Sequence, residues 1–270
     1  MAYLYEIRGA VARLCNDWVE MEATAASPDT TVFFDNVNGY ENDHHYRGSD
    51  VWFKYDVGTA ANRGTIVRCT GSTLSTTSLD LGAGLTDAPA IGDIAWVFNI
   101  GGQGERIRTY DAVINDAIRS LGPAGEVPYT EDTTDVWDID APWVDIPATF
   151  TALSKLQYYD ADEIWYDVPN HSFSIDTIQR KIAMSIDYTY LADGKLVRFV
   201  GKKKHPTLVD DDDETNIDFE WLTNECAGQL LMNRRDQAAM NKGGLRKNNA
   251  DAVRGKASVH SLLEGSIRLT

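Results

Sequence analysis

The chain has 270 residues, 43% of them hydrophobic, and a formal net charge of −16. That length and apolar content suit one large domain or two modest ones. So acidic a chain is a poor non-specific nucleic-acid binder, because affinity for phosphate comes mainly from Lys and Arg. The charge is uneven: from Asn241 to Thr270 six basic residues (Lys242, Arg246, Lys247, Arg254, Lys256 and Arg268) face two acidic ones (Asp251 and Glu264), a net +4 that leaves −20 on the first 240 residues. Three cysteines, Cys15, Cys69 and Cys226, are far apart and odd in number, as expected of buried reduced thiols in a reducing compartment. Glu6, Arg8 and Arg13 interrupt the N-terminal segment, so no secretory leader is expected. No stretch approaches the ~20 apolar residues of a membrane span.

In chain order, the first predicted element is a helix from Tyr3 to about Glu22, with Leu4, Ile7, Val11, Leu14 and Trp18 on one apolar stripe and Ser27-Pro28-Asp29 after its end. Val32 to Phe98 is rich in short strands: Val51–Tyr55, Thr65–Cys69, Ser78–Leu81 and Ile91–Phe98, punctuated by Gly, Asn and Asp. That spacing predicts a small barrel or sandwich. Gly101-Gly102-Gln103-Gly104 lacks the spacing and the Lys-Ser/Thr of a phosphate loop and reads as a hinge. A second helix, Glu105–Leu121, buries Ile107, Tyr110, Ile114, Ala117, Ile118 and Leu121 and stops at Gly122-Pro123. A second β region follows, with strands at Leu153–Tyr159, Glu163–Val168, Phe173–Ile178, Lys181–Ile186 and Lys195–Val200 and a tight turn at Asp193-Gly194. A third helix, about Phe219–Met240, turns Phe219, Leu222, Cys226, Leu230 and Leu231 inward. The last ~30 residues, with Gly243-Gly244, Asn248-Asn249 and Gly255, read as an extended arm, flexible or ordered by a partner.

The fold class is therefore α+β: a helical core of three main helices (1–30, 101–125 and 215–240) carrying an inserted β-barrel or sandwich (31–100), a second β-sandwich-like domain (126–214) and a basic arm (241–270). Chemistry is sparse. Asp210-Asp211-Asp212-Asp213-Glu214 is contiguous and has no internal Gly. This fits an acidic approach to a helix N-terminus better than a calcium loop, with cap candidates at Thr215 to Asp218. His44-His45 read as an exposed hairpin tip, and His171, His205 and His260 have no partner at ligand spacing, so neither metal nor cofactor is expected. No nucleophile elbow or catalytic cysteine context occurs, which leaves no catalytic residue to name. Two alternatives stay open. Trp137, Trp143 and Trp165 near Asp135, Asp138, Asp140 and Asp145 could form a glycan-binding cleft; equally, those aromatics could anchor a loop on the sandwich. A carboxylate-based hydrolase would use two acids distant in sequence.

The order of residues resembles a known family. Gly92-Asp93-Ile94-Ala95-Trp96-Val97 closes the first β region. The helix Arg106–Ala117 follows, then Val144-Asp145-Ile146-Pro147 and Asp167-Val168-Pro169 before Phe173-Ser174-Ile175. Gly194–Val200, Pro206, the acidic run and Glu220–Leu231 end the series. Over roughly residues 1–240 this resembles the head-to-tail adaptor (neck or connector) proteins of tailed bacteriophages. The resemblance implies a non-enzymatic virion protein at the head–tail interface, made in the host cytoplasm. It implies a homo-oligomeric ring of about twelve copies under the portal protein and above a downstream neck or tail protein, with genomic DNA passing through unbound and no membrane involved. It also implies that Lys242, Arg246, Lys247, Arg254 and Lys256 dock on the portal and that Asp210–Glu214 face a subunit interface or the lumen. An acidic wall suits a DNA conduit because it repels phosphate.

Overall fold

The computed structural model describes residues 1–35, 43–54, 59–100, 105–141, 143–160, 164–234, 237–261 and 267–269. The hinge candidate Gly101–Gly104 lies outside them. In chain order the elements are β1 (Ala2–Tyr3), α1 (Leu4–Leu14), β2 (Trp18–Glu22), β3 (Val32–Phe34), β4 (Asp50–Phe53), β5 (Ile66–Thr73), β6 (Ser78–Leu81), β7 (Ile94–Phe98) and α2 (Ile107–Ser120). There follow β8 (Val127–Val136), β9 (Val144–Asp145), β10 (Phe150–Tyr159), β11 (Trp165–Val168), β12 (Phe173–Asp176), β13 (Lys181–Met184), α3 (Ile186–Ala192) and β14 (Leu196–Lys203). The last are β15 (Glu214–Thr215), α4 (Phe219–Asn233), α5 (Gln237–Ser261) and β16 (Ile267–Arg268). The class is mixed α+β, and every strand pairing is antiparallel.

Contacts divide the chain into two compact units, 1–118 with 207–254, and 119–206 with 255–270. In the first unit the strands form an open half-barrel in the order β2-β7-β4-β5-β6-β3. Successive side chains of a strand point to opposite faces, and this sheet uses both faces. Val51, Phe53, Ala95 and Val97 enter an apolar core with Met21, Phe33, Val67, Leu79 and Leu81. Trp52 and Trp96, which are cross-strand partners, point the other way and are also buried. That second face receives the helices. Leu4, Ile7 and Val11 of α1 are fully buried, and α1 packs on α4, whose Leu222, Cys226 and Leu230 are buried. Cys226 also lies over the Val113 carbonyl of α2.

The second unit is sandwich-like. The sheet β11-β10-β14-β8, with β16 on β10, shares one core with the three-stranded sheet β12-β13-β9. Phe150, Leu156, Val197 and Phe199 of the first sheet meet Val144, Ile182 and Met184 of the second. Gly201 of β14 permits the pairing with β10: a Cβ there would collide with the Ala152 carbonyl.

The differences from the sequence reading have local causes. The first helix stops at Leu14, not Glu22, because Asn16 takes a left-handed conformation (φ 55°), which Asn tolerates. Trp18 falls in helical register by coincidence and sits on β2, so the half-barrel begins at residue 18 rather than 31. The predicted third helix is two. Helix α4 ends at Asn233 and α5 begins at Gln237, with Phe219 exposed rather than inward. The region 241–270 is not an extended arm over most of its length: α5 is 25 residues long. Its Gly243 is a packing residue, not a breaker, since a Cβ there would stand 2.9 Å from the Gly228 carbonyl oxygen of α4. Strand β8, disguised by Pro128 and by the run of three threonines and three acidic residues from Thr130 to Asp135, is an edge strand, where proline is tolerated. Helix α3 was also absent from the reading. The boundary of the second β region falls at Pro206 rather than at residue 214.

Candidate functional site

The acidic run belongs to the first unit because α1 holds it there. Leu4 and Tyr5 donate backbone N–H groups to the Asp213 and Asp211 carbonyls, at 2.9 and 3.3 Å. Tyr3 and Glu214 pair across β1 and β15. The five side chains then divide. Asp211 Oδ1 accepts from Arg8 Nη1 at 2.9 Å, and its Oδ2 accepts from Trp52 Nε1 at 2.7 Å. Arg8 Nε donates to Asp111 Oδ1 of α2 at 2.8 Å. Arg8 is 2% exposed, so a guanidinium is bridged between two carboxylates inside the protein and lies 5.9 Å from the Trp52 ring. Burial raises the Asp111 carboxyl above the usual range, with Arg8 opposing the shift. Asp213 turns back on its own loop and accepts from the N–H groups of Val209 and Asp210. Asp210, Asp212 and Glu214 are exposed. Asp218, further on, caps α4 by accepting from Trp221 N at 2.7 Å.

A second buried carboxylate closes the same unit. Asp17 accepts from Tyr110 Oη at 2.7 Å, from Glu105 N at 2.6 Å and from Ile100 N at 3.3 Å. Burial raises its pKa against those three bonds, and burial also raises Tyr110. Between these two networks runs an aromatic layer. Tyr3 stacks on Tyr5 and Tyr5 on Trp52, each at 5.7 Å, and Trp96 lies 5.0 Å from Trp52 and 5.6 Å from Trp18. Gly9 of α1 lies on Trp96 so closely that a Cβ would overlap the ring. Above this contact is an open groove of about 330 Å³, lined by Tyr5, Glu6, Arg13, Lys54, Trp96 and Phe219 together with Gly9 and Ala10. It holds one carboxylate, Glu6, whereas a glycosidic hydrolase needs two.

The basic candidates lie on α5. Arg246 Nη1 donates to Asn224 Oδ1 at 3.3 Å, and Lys247 Nζ pairs with Glu225 at 3.3 Å, so both are engaged with α4. Lys242 is half-buried on the same helix. The side chains of Arg254 and Lys256 lie outside the described residues. Of the three whose side chains are described, two are thus engaged within their own unit.

The tryptophan trio is not assembled as a cleft either. Trp137 is fully buried in the core of the second unit, Trp143 is 48% exposed, and Trp165 lies half-buried under the Arg198 guanidinium at 4.2 Å. All three cysteines are free and buried, and burial pushes Cys15 and Cys69 up to about 11. His44 is exposed in a turn, whereas His45, expected to be exposed beside it, is half-buried with its ring edge-on to the buried Tyr46 at 4.5 Å. Among the described residues no cluster of three or more His, Cys, Asp or Glu is placed to hold a metal, and no helix is long and apolar enough to cross a membrane.

Sequence reasoning missed Arg8 and Asp111. Arg8 sits beside the stripe Leu4-Ile7-Val11, and the available signal was its neighbourhood: an arginine between apolar residues on a helix otherwise destined for burial. No family model matches this chain, and no curated protein matches its sequence.

Proposed function

We propose that this chain is a non-enzymatic structural protein of a tailed bacteriophage virion, a head-to-tail adaptor. Copies of it form a ring, about twelve in number, between the portal protein and a downstream neck or tail protein. The observation that carries the reading is the order in which the elements are nested. A half-barrel is inserted between α1 and α2, a two-sheet unit is inserted between α2 and α4, and α1, α2 and α4 come back together in one unit. Helix α1 packs on α4, and α2 belongs to the same unit, which supports reading the three as the helical core that carries the β regions.

A ring requires two different surfaces on each subunit that meet head to tail. The exposed members of the acidic run, Asp210, Asp212 and Glu214, belong to a subunit interface or to the channel wall, where negative charge keeps DNA from adhering. The basic α5 docks toward the portal, where complementary charge sets encounter rate and register. Lys242, Arg254 and Lys256 are its leading candidates, because Arg246 and Lys247 already have partners on α4. The test is to mix the purified chain with the portal protein of the same virus and image the product by negative stain. A ring capping the portal is expected; free portal beside unbound chain contradicts the proposal.

A further inference from the structure

Strand β10 has two partners on one of its edges. Strand β11 pairs with its second half, Leu156 to Tyr159, and β16 pairs with its first half, Ala152 opposite Arg268 and Leu153 opposite Ile267. Leu269 extends the same register, donating its N–H to the Thr151 carbonyl at 3.0 Å, and it packs on the core of the second unit. Three residues, Ile267-Arg268-Leu269, thus fill a gap in a sheet edge that would otherwise present unpaired backbone groups. The contacts are backbone pairing plus one apolar anchor, the recognition mode of strand addition. Nothing in them depends on which copy of the chain supplies the strand.

We propose that the first half of the β10 edge is a strand-acceptor slot, and that in the assembled protein it is filled by Ile267–Leu269 of an adjacent copy. The choice of a second copy rests on the ring reading above and on two features of the segment's carrier. Helix α5 has 25 residues; its first half is held on α4 at Gly243 and Lys247, and Gly255 to Ser261 extend it by about 10 Å at about 1.5 Å per residue. It also leaves the first unit at Arg254. Arg246 and Lys247 are taken up by α4 of the same copy, while Arg254 and Lys256 are basic residues at and beyond that exit and residues 1–240 are net −20, so the outgoing end of each copy's helix is complementary in charge to the body of the next. Exchange of an identical element conserves every local contact and links copies at low cost.

The experiment uses the full chain, the full chain carrying Leu269→Asp, and the chain truncated after Ser261, with a labelled peptide of residues 262–270 as probe. Anisotropy should show the peptide binding the truncated chain at least tenfold more tightly than the full chain, whose slot is filled, and a Leu269→Asp peptide should not bind. Light scattering should show self-association of the full chain, lost in both altered proteins while the circular dichroism of the second unit persists. Absence of peptide binding to the truncated chain overturns the slot. Peptide binding with unchanged oligomeric state in all three proteins overturns the exchange and leaves an intramolecular clasp. Portal capture is scored separately: a full chain that self-associates through the slot yet leaves the portal uncapped contradicts the adaptor reading and not the strand exchange.

Discussion

In the first unit Arg8 meets Asp211 across 203 residues of sequence and Asp111 across 103, in a site where the guanidinium is 2% exposed. In the second unit one group of charged side chains lies on β10, β11 and β14. There Arg198 Nε donates to Gln157, Gln157 Nε2 to Asp167, and Lys155 Nζ to Asp167, and the Lys155 and Asp167 side chains are each about half exposed. Buried and exposed charge obey different arithmetic. A buried pair costs much to desolvate and much more to leave half-broken, whereas an exposed pair is worth little either way. The first unit is thus held in register by polar groups from three distant segments, and the second by an apolar core between two sheets. The acidic run gains its place in this way: one of its five side chains is a structural tie, and three face solvent.

Substitutions should separate the two units, and the largest effect is expected at Arg8. Arg8→Ala strands Asp111 and Asp211 without their cation and should destabilise the first unit by about 3–5 kcal/mol. Calorimetry should then show the first unit's transition falling while the second unit's stays. A uniform fall of both transitions would mean the units do not unfold separately. Next come the two close approaches. Gly9→Ala should drive a methyl into the Trp96 ring and Gly201→Ala into the Ala152 carbonyl, each costing about 1–3 kcal/mol, the former read in the first transition and the latter in the second. The smallest effect is expected at the exposed pair, where Lys155→Ala should change stability by no more than ~1 kcal/mol.

Acid should also act on the units with opposite sign. Burial raises Asp17 and Asp111. The folded first unit therefore holds those protons more tightly than the unfolded chain does, and their contribution declines as pH rises through the carboxylate range and above it. Asp167 is lowered by its bonds from Lys155 and Gln157, so its contribution is present above the ordinary carboxylate pKa and is lost as pH falls through the depressed one. Thermal midpoints of Asp111→Asn and Asp167→Asn, followed from pH 7 to pH 3, check both signs. Asn at 111 should flatten the first unit's pH slope, and Asn at 167 that of the second.

Much of the scaffold was legible because it is local. The 3–4 spacing of Ile107, Tyr110, Ile114, Ala117 and Ile118 marks α2 and its buried face, and all five are buried. Short apolar runs punctuated by Gly, Asn and Asp mark β4, β5, β6 and β7. What was not legible is non-local. The run Asp210–Glu214 does not reveal that α1 will bond its backbone, or that Asp211 alone will meet Arg8. Glycines in α5 look like breaks in one dimension, although Gly243 is there to let α4 approach. The pairing of β16 with β10 joins residues more than a hundred positions apart, and a two-residue strand has no period to read.

The central claim, an adaptor ring on a portal, is tested most directly by cryo-electron microscopy of the chain mixed with its portal protein. The account predicts a closed ring of the chain stacked coaxially on the portal, with the acidic run at a subunit boundary or on the channel wall and α5 toward the portal. Portal particles free of bound chain, at concentrations where the chain is in excess, would contradict it.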